Sequence, residues 1–320
     1  MEKQDMEKQD MRAVVVKEFG GPEALVIIDT PVPSPGPGEV LIKVGAAAIN
    51  PADVMVRVGA LVQYGAAVPQ AQFGVGADVA GVVAALGEGV RAFAVGDTVV
   101  GLQERADLPL GAQAEYMVLE EWAVAPAPAG ATMAEASTLP LNATTADQAL
   151  DTLGLAPGQW LLVTGAAGAV GGFAVELAVL RGLRVVAQAG AADEELVRGF
   201  GAELFVSRDE PLSATVRQLV PGGVDGALDA ANQGVAASDA VRHGGAFVSL
   251  LNAAPQARRA MRTHNVAYHS DGARLARLSA LAGAGRLSLR VAATYPFEEA
   301  AQAHRVLAGG GVRGRLVLVP

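Results

Sequence analysis

The sequence predicts an α/β chain in which a doubly wound parallel sheet follows a β-rich, barrel-like domain. Three observations predict it. A strand, a glycine-rich turn and a helix succeed one another at 160–182. Helical and strand-like runs alternate around that unit. Short β-branched runs separated by turn residues occupy the chain before it.

The unit at 160–182 reads WLLVTGAAGAVGGFAVELAVLRG. Gly165, Gly168 and Gly171 give the spacing GxxGxxG, a variant of the dinucleotide-binding fingerprint. Glycines let the backbone turn tightly and approach a pyrophosphate with no Cβ in the way. The amides that open the next helix then face the phosphate charge. Glycine spacing alone arises by chance in a chain this rich in Ala and Gly. The apolar strand before it and the apolar helix after it (Val170, Phe173, Ala174, Leu177, Leu180) make the signal strong. The predicted cofactor contacts are therefore Gly165, Ala166, Gly168, Ala169, Val170 and Gly171.

Before this unit, strand-like runs fall at 12–17, 39–44, 78–86, 97–102 and 115–119, which predicts an all-β first domain. From about residue 128, predicted helices (133–153, 171–182, 192–200, 211–220, 233–242) alternate with predicted strands (160–164, 184–188, 203–206, 225–229, 245–250). Such alternation implies a parallel sheet with helices on both faces. A last helix at 297–308 and strand at 315–319 are placed to complete the first domain's sheet. The expected division is 1–10 as a disordered leader, 11–127 plus about 260–320 as the β domain, and 128–259 as the nucleotide-binding domain. The leader is the tandem repeat MEKQDMEKQD, polar and without periodicity.

Composition narrows the function. At 320 residues, 51% apolar and 18% charged, the chain has material for one or two cores. A formal charge of −9, with no basic stripe, argues against nucleic-acid binding. No apolar run reaches the roughly 18 residues of a membrane span, and no secretory signal opens the chain. The expected location is cytoplasmic, with no membrane partner. There is no cysteine, so disulfides, thiol catalysis and cysteine-ligated zinc are impossible.

Ordered motifs along the chain resemble one family. They are FGGPEAL at 19–25, AAINPADVMVRVG at 47–59, GADVAGVVAALGEGVRAFAVGDTVVG at 76–101, AEYMV at 114–118, LPLNATTADQAL at 139–150, TGAAGAVG at 164–171, GFGAE at 199–203, VDGALDA at 224–230, and the closing stretch 295–320. Together they resemble the zinc-independent medium-chain dehydrogenase/reductase superfamily, in its quinone oxidoreductase and enoyl reductase branch. The resemblance implies a GroES-like β-barrel domain joined to a Rossmann domain, with the nicotinamide held beside the substrate in a cleft. It implies a metal-free, NAD(P)H-dependent hydride transfer to a quinone or an α,β-unsaturated carbonyl, in a homodimer. Two alternatives stand beside it: an enoyl-thioester reductase of a biosynthetic pathway, and a nicotinamide-binding protein without redox turnover.

The resemblance also points to residues. Zinc-dependent relatives carry ligands where this chain has Asn50, Ala77 and Asp78, a poor donor set for zinc. The histidines (His243, His264, His269, His304) are expected to be solvated or hydrogen-bonded. Asn50 and Asp53 form the N-P-x-D motif near the nicotinamide: Asn50 as a carbonyl-positioning donor or a turn residue, Asp53 as a helix cap or an acid–base group. Met55 stands where many relatives have a tyrosine, which makes Tyr64 the candidate proton donor, with solvent as the alternative. Thr145 is placed by its motif to bond the nicotinamide or a phosphate, or to cap a helix together with Thr144. Asn142, Asn252 and Asn232 are further candidates by position.

Cofactor choice is read at the end of the second Rossmann strand, near Gln188 and Gly190. A carboxylate there accepts the ribose hydroxyls of NAD, and a basic residue favours the 2′-phosphate of NADP. The sequence places neither at the strand end. NADPH-using relatives usually have a serine and a basic residue where this chain has Gly190 and Ala192, and Asp193, Glu194 and Glu195 follow. Family habit favours NADPH, with NADH as the alternative.

Overall fold

The structure of the chain, a computed structural model, describes residues 9–250 and 254–320. Asn252 and residues 1–8 of the expected leader lie outside the described residues. The chain divides into two compact units. One comprises Met1–Leu141, Ser270–Gly285 and Leu289–Pro320, the other Asn142–His269 and Arg286–Ser288.

The first unit opens with β1 (Asp10–Val16), β2 (Leu25–Pro31), β3 (Glu39–Ala48), β4 (Phe73–Gly74), β5 (Asp78–Leu86), β6 (Thr98–Leu102), β7 (Tyr116–Glu120) and β8 (Val124–Pro126). The sequence pattern marks β3 and β5 to β7 because their β-branched residues fill one core: Val40, Ile42, Val79, Val83, Val99, Met117 and Leu119 are all buried. The strand β2 carries no such signal, because it lies at the edge of the order β2-β1-β4 with a mostly exposed pattern. Asp10, expected in the leader, is already strand: its backbone pairs with Pro31.

The second unit contains β9 (Trp160–Thr164), β10 (Arg184–Ala189), β11 (Leu204–Ser207), β12 (Val224–Asp229), β13 (Val241–Ser249) and β14 (Arg262–Asn265). They form one sheet in the order β11-β10-β9-β12-β13-β14, and every pairing is parallel. This is the 3-2-1-4-5-6 order of a dinucleotide-binding sheet. Its core gathers Leu162, Val186, Val206, Val216, Ala227 and Phe247. The predicted helix over 233–242 shrinks to Val235–Ser238, because β13 already begins at Val241. The strand β14, Arg-Thr-His-Asn, is polar and exposed, so no hydrophobic run announces it.

The chain then returns to the first unit with the helix Gly272–Gly283, β15 (Val291–Pro296), the helix Ala300–Gly309 and β16 (Arg315–Val319). β16 pairs antiparallel with β3, through Val317 opposite Ala48 and Leu318 opposite Ala47. Ile49, Phe297, Leu316 and Leu318 share a core there. The terminal strand thus does complete the sheet of the first unit, with β15 parallel beside it.

The division falls after Leu141 and after His269, later than the expected 127/128 and roughly 259/260. Two local facts account for it. Pro140 splits the predicted helix over 133–153 into Met133–Ser137 and Pro140–Leu153. The short piece packs on β3, β5 and β16 and so stays with the first unit. At the other seam, β14 adds its backbone to β13 and extends the parallel sheet past residue 259.

One buried group departs from expectation. His304, on the helix Ala300–Gly309, is fully buried and neither ring nitrogen is hydrogen-bonded. Burial and then the nearby Arg57 charge lower its pKa from 6.5 to about 4. The folded chain therefore takes up this proton only near pH 4, whereas the unfolded chain takes it up near its ordinary value. Stability is lost as pH falls from about 6.5 towards 4. The change amounts to about 3 kcal/mol. Urea unfolding of wild type and His304→Gln at a series of pH values checks this: the variant should lack that acid-side loss.

Candidate active site

In the second unit the glycine turn follows β9 directly. Gly165 is left-handed, at φ 62°. Gly171, in the first turn of the helix Ala169–Leu180, approaches so closely that a Cβ on it would sit 2.1 Å from the Gly165 carbonyl oxygen. Only glycine fits. Gly168 is the residue that begins this helix, and its amide donates to the Gly165 oxygen at 2.9 Å. Ala166 is buried, and its amide donates to the Gln188 carbonyl at 3.0 Å, which ties the turn to the end of β10. Ala169 and Val170 stand half-buried in the first turn, where helix amides have no intrahelical acceptor. The turn therefore presents backbone donors at the start of the helix, as a cradle for a dinucleotide diphosphate does.

A carboxylate that the sequence reading missed holds this cradle. Asp229, fully buried at the end of β12, accepts from the Thr164 hydroxyl at 2.6 Å. It also accepts from the amides of Gly234 at 2.7 Å and Gln233 at 3.0 Å. The Thr164 oxygen accepts in turn from the Ala230 amide at 3.1 Å. The loop after β12 is thereby clamped to the last residue of β9, and Ala231 lies against Gly165. The available signal was a polar residue closing each of two apolar strands. Asn232, in this loop, is exposed and left-handed at φ 55°, a conformation asparagine tolerates.

In the first unit the N-P-x-D motif opens the helix Pro51–Arg57. Asp53 accepts from the Asn50 amide at 2.7 Å, so the carboxylate does pin the helix start. The Asn50 side-chain amide donates to Asp78 Oδ2 at 2.7 Å and lies 3.5 Å from the Ala48 carbonyl oxygen. Asp78 Oδ1 accepts from the Leu141 amide at 2.6 Å. All three side chains are buried, and Arg315 on β16 supplies the neighbouring positive charge. Burial pushes Asp53 and Asp78 up to about 7, against the lowering effect of these donors and of Arg315. Burial lowers the Arg315 guanidinium to about 10, and the two carboxylates oppose that.

The other predicted residues fall elsewhere. Tyr64 closes the short helix Ala60–Gln63 and is 76% exposed, so it is not gathered with Asn50 and Asp53. Met55 is 42% exposed. Thr144 and Thr145 are buried in the second turn of the helix Pro140–Leu153, too far along it to cap its N-terminus, and Asn142 is buried in its first turn. Gln188 is buried at the end of β10, and Gly190 follows that strand.

Zinc does not suit these side chains. Ala77 offers no donor atom, and the Asn50 amide and Asp78 carboxylate are spent on each other. Among the described residues no group of three His, Cys, Asp or Glu side chains is placed to hold a metal ion.

The chain matches the family model for the alcohol dehydrogenase GroES-like domain over 36–129 and that for zinc-binding dehydrogenase over 200–318. It is 31% identical to an NADPH-dependent alkenal/one oxidoreductase of Arabidopsis thaliana, across 98% of this chain and 80% of that protein. It is 29% identical to a quinone oxidoreductase of Mus musculus, across 97% and 98%. A crystal structure of an NAD-dependent alcohol dehydrogenase is 33% identical and superposes with a TM-score of 0.87, covering 97% of this chain and all of that one. The chain belongs to the medium-chain dehydrogenase/reductase superfamily, in its quinone oxidoreductase branch. It is an oxidoreductase with a GroES-like domain, a Rossmann domain and a nicotinamide cofactor.

Two outcomes follow from this geometry. Gly171→Ala should abolish nicotinamide binding by fluorescence titration, or weaken it by well over tenfold, since the added methyl displaces the turn. Asp78→Asn should lower unfolding free energy by about 3 kcal/mol at a pH between the Asp78 value of about 7 and the Arg315 value of about 10, because the ionised carboxylate is then the buried counter-charge that Arg315 loses. Urea denaturation in that pH range measures it.

Proposed function

We propose that the chain reduces quinones and α,β-unsaturated carbonyls, with NADPH as the hydride source and without a metal. The observation that carries the reading is the Gly165–Gly171 approach at the end of β9, where backbone packs on backbone too closely for a Cβ and the first-turn amides of the next helix are brought to the strand end. The names of the relatives supply the substrate class, and the NADPH-dependent relative supports the cofactor choice. The donor set at Asn50, Ala77 and Asp78 supports a reaction that needs no Lewis acid. A conjugated carbonyl or quinone accepts hydride into its own π-system, and only the resulting oxyanion needs stabilising.

The bound reduced nicotinamide supplies the hydride. The glycine turn and the amides of Ala169 and Val170 hold the diphosphate, and Asp229 with Thr164 keeps that turn in shape. Thr145 is assigned to the nicotinamide end by its motif. Asn50 and Asp53 act as positioning residues, because their polar atoms are committed to Asp78 and to the helix start. No proton reaches the substrate from them. Met55 carries none, and Tyr64 faces solvent, so the proton that completes the reduced product comes from water. A cytoplasmic homodimer is part of this proposal. Among the described residues no helix is long and apolar enough to cross a membrane.

A panel of quinones, enones and enoyl thioesters, followed by loss of reduced-nicotinamide absorbance in the presence of a chelator, tests the reading. Turnover of quinones and free enones is expected, undiminished by the chelator. Cofactor binding with no turnover on any member would overturn it. Tyr64→Phe should keep kcat within about twofold if water is the donor; a loss beyond about tenfold would make Tyr64 the donor.

A further inference from the structure

The end of β10, where no cofactor-reading side chain stands in the sequence, is filled from the next strand. Arg208 directly follows β11, and its backbone amide donates to the Ala189 carbonyl at 2.7 Å, which fixes it beside the strand end. A Cβ on Gly190 would lie 3.2 Å from Arg208 Nη2 and 3.4 Å from Nε. The guanidinium therefore covers the place that a side chain at 190 would take. Asp193 Oδ2 lies 3.0 Å from the same point and 3.9 Å from Arg208 Nη2. That carboxylate is nearly buried, whereas the Arg208 side chain is 61% exposed. The acid thus holds the arginine from beneath, and the rest of the guanidinium faces outward.

We infer that Arg208, positioned by Asp193 and admitted by Gly190, binds the 2′-phosphate of the adenosine ribose and sets the cofactor preference of this enzyme. The inference rests on the reading of the chain as a nicotinamide-dependent reductase. In a sheet of this order the adenosine ribose is read at the end of the second strand, by a carboxylate for the free hydroxyl or by an arginine for the phosphate. Here the carboxylate that the sequence offers is turned inward and covered by the cation. The neighbouring acids are largely engaged elsewhere. Glu194 accepts from Arg198 Nε at 2.8 Å, Glu210 accepts from the Ser207 amide at 3.2 Å, and Asp209 lies 3.5 Å from the Ser207 hydroxyl. Glu195 is exposed on the helix Glu194–Gly199. The planar fork of the guanidinium suits two phosphate oxygens, and a ribose hydroxyl makes no comparable demand on it.

The test is a fluorescence titration of NADPH and NADH into wild type, Arg208→Ala and Arg208→Lys, with no substrate present. Wild type should bind NADPH more tightly than NADH. Arg208→Ala should raise the Kd for NADPH by about tenfold or more and leave that for NADH within about twofold. Arg208→Lys should fall between, because it keeps the charge and loses the fork. Far-UV circular dichroism confirms the fold of each variant. The inference is overturned if Arg208→Ala changes neither constant, if it changes both equally, or if wild type prefers NADH. Binding of neither cofactor by wild type would instead overturn the proposed function, and this inference with it.

Discussion

Burial of the Asp78 carboxylate is the constraint around which the first unit is organised. Its two oxygens take the Asn50 side-chain amide and the Leu141 backbone amide, and Arg315 compensates its charge. Stretches of chain near residues 50, 78, 141 and 315 are thereby fixed to one another. An unpaired carboxylate at this depth would be very costly, so the pairing is possible only once β16 has joined β3. The terminal strand is thus the source of a counter-charge as well as a sheet edge. The N-P-x-D loop inherits its shape from this arrangement: Asn50 is held by Asp78, and Asp53 is held by the Asn50 amide.

The second unit depends on a different kind of constraint, the exclusion of side chains. Between Gly165 and Gly171 the backbone comes too close for a Cβ. This tightness brings the amides at the start of the helix Ala169–Leu180 to the end of the sheet. The turn is not self-supporting. Asp229 and Thr164 bind the loop after β12 to it, and the Ala166 amide binds it to β10. A polar pair at two strand ends is the counterpart of the apolar core that Leu162, Val186 and Phe247 form within the sheet.

Particular elements show what periodicity could and could not reveal. The strands β3, β5, β9, β10 and β12 were legible because each buries β-branched or leucine side chains, and burial imposes a pattern. The edge strand β2 and the polar β14 were not legible, since they are held by backbone pairing and bury little. The helix over 133–153 was legible as helix, and its interruption followed from Pro140. At the site, the glycine turn could be read from spacing, and helix capping was one of the two roles expected of Asp53. The inward-facing amide of Asn50 could not, because its partner lies 28 positions away in the sequence. Arg208 escaped for a similar reason: it follows β11 in sequence and lies beside the end of β10 in space.

The sequence by itself determined the family, the alternation that makes a parallel sheet in the cofactor unit, the glycine turn and the absence of thiol chemistry. Each of these is a matter of residue type and spacing along the chain. Tertiary structure alone decided which charges meet: Asp78 with Arg315, Asp193 with Arg208, Thr164 with Asp229. Charge and hydrogen-bond partners are chosen by proximity in space, and strand pairing brings together residues that no window of sequence contains.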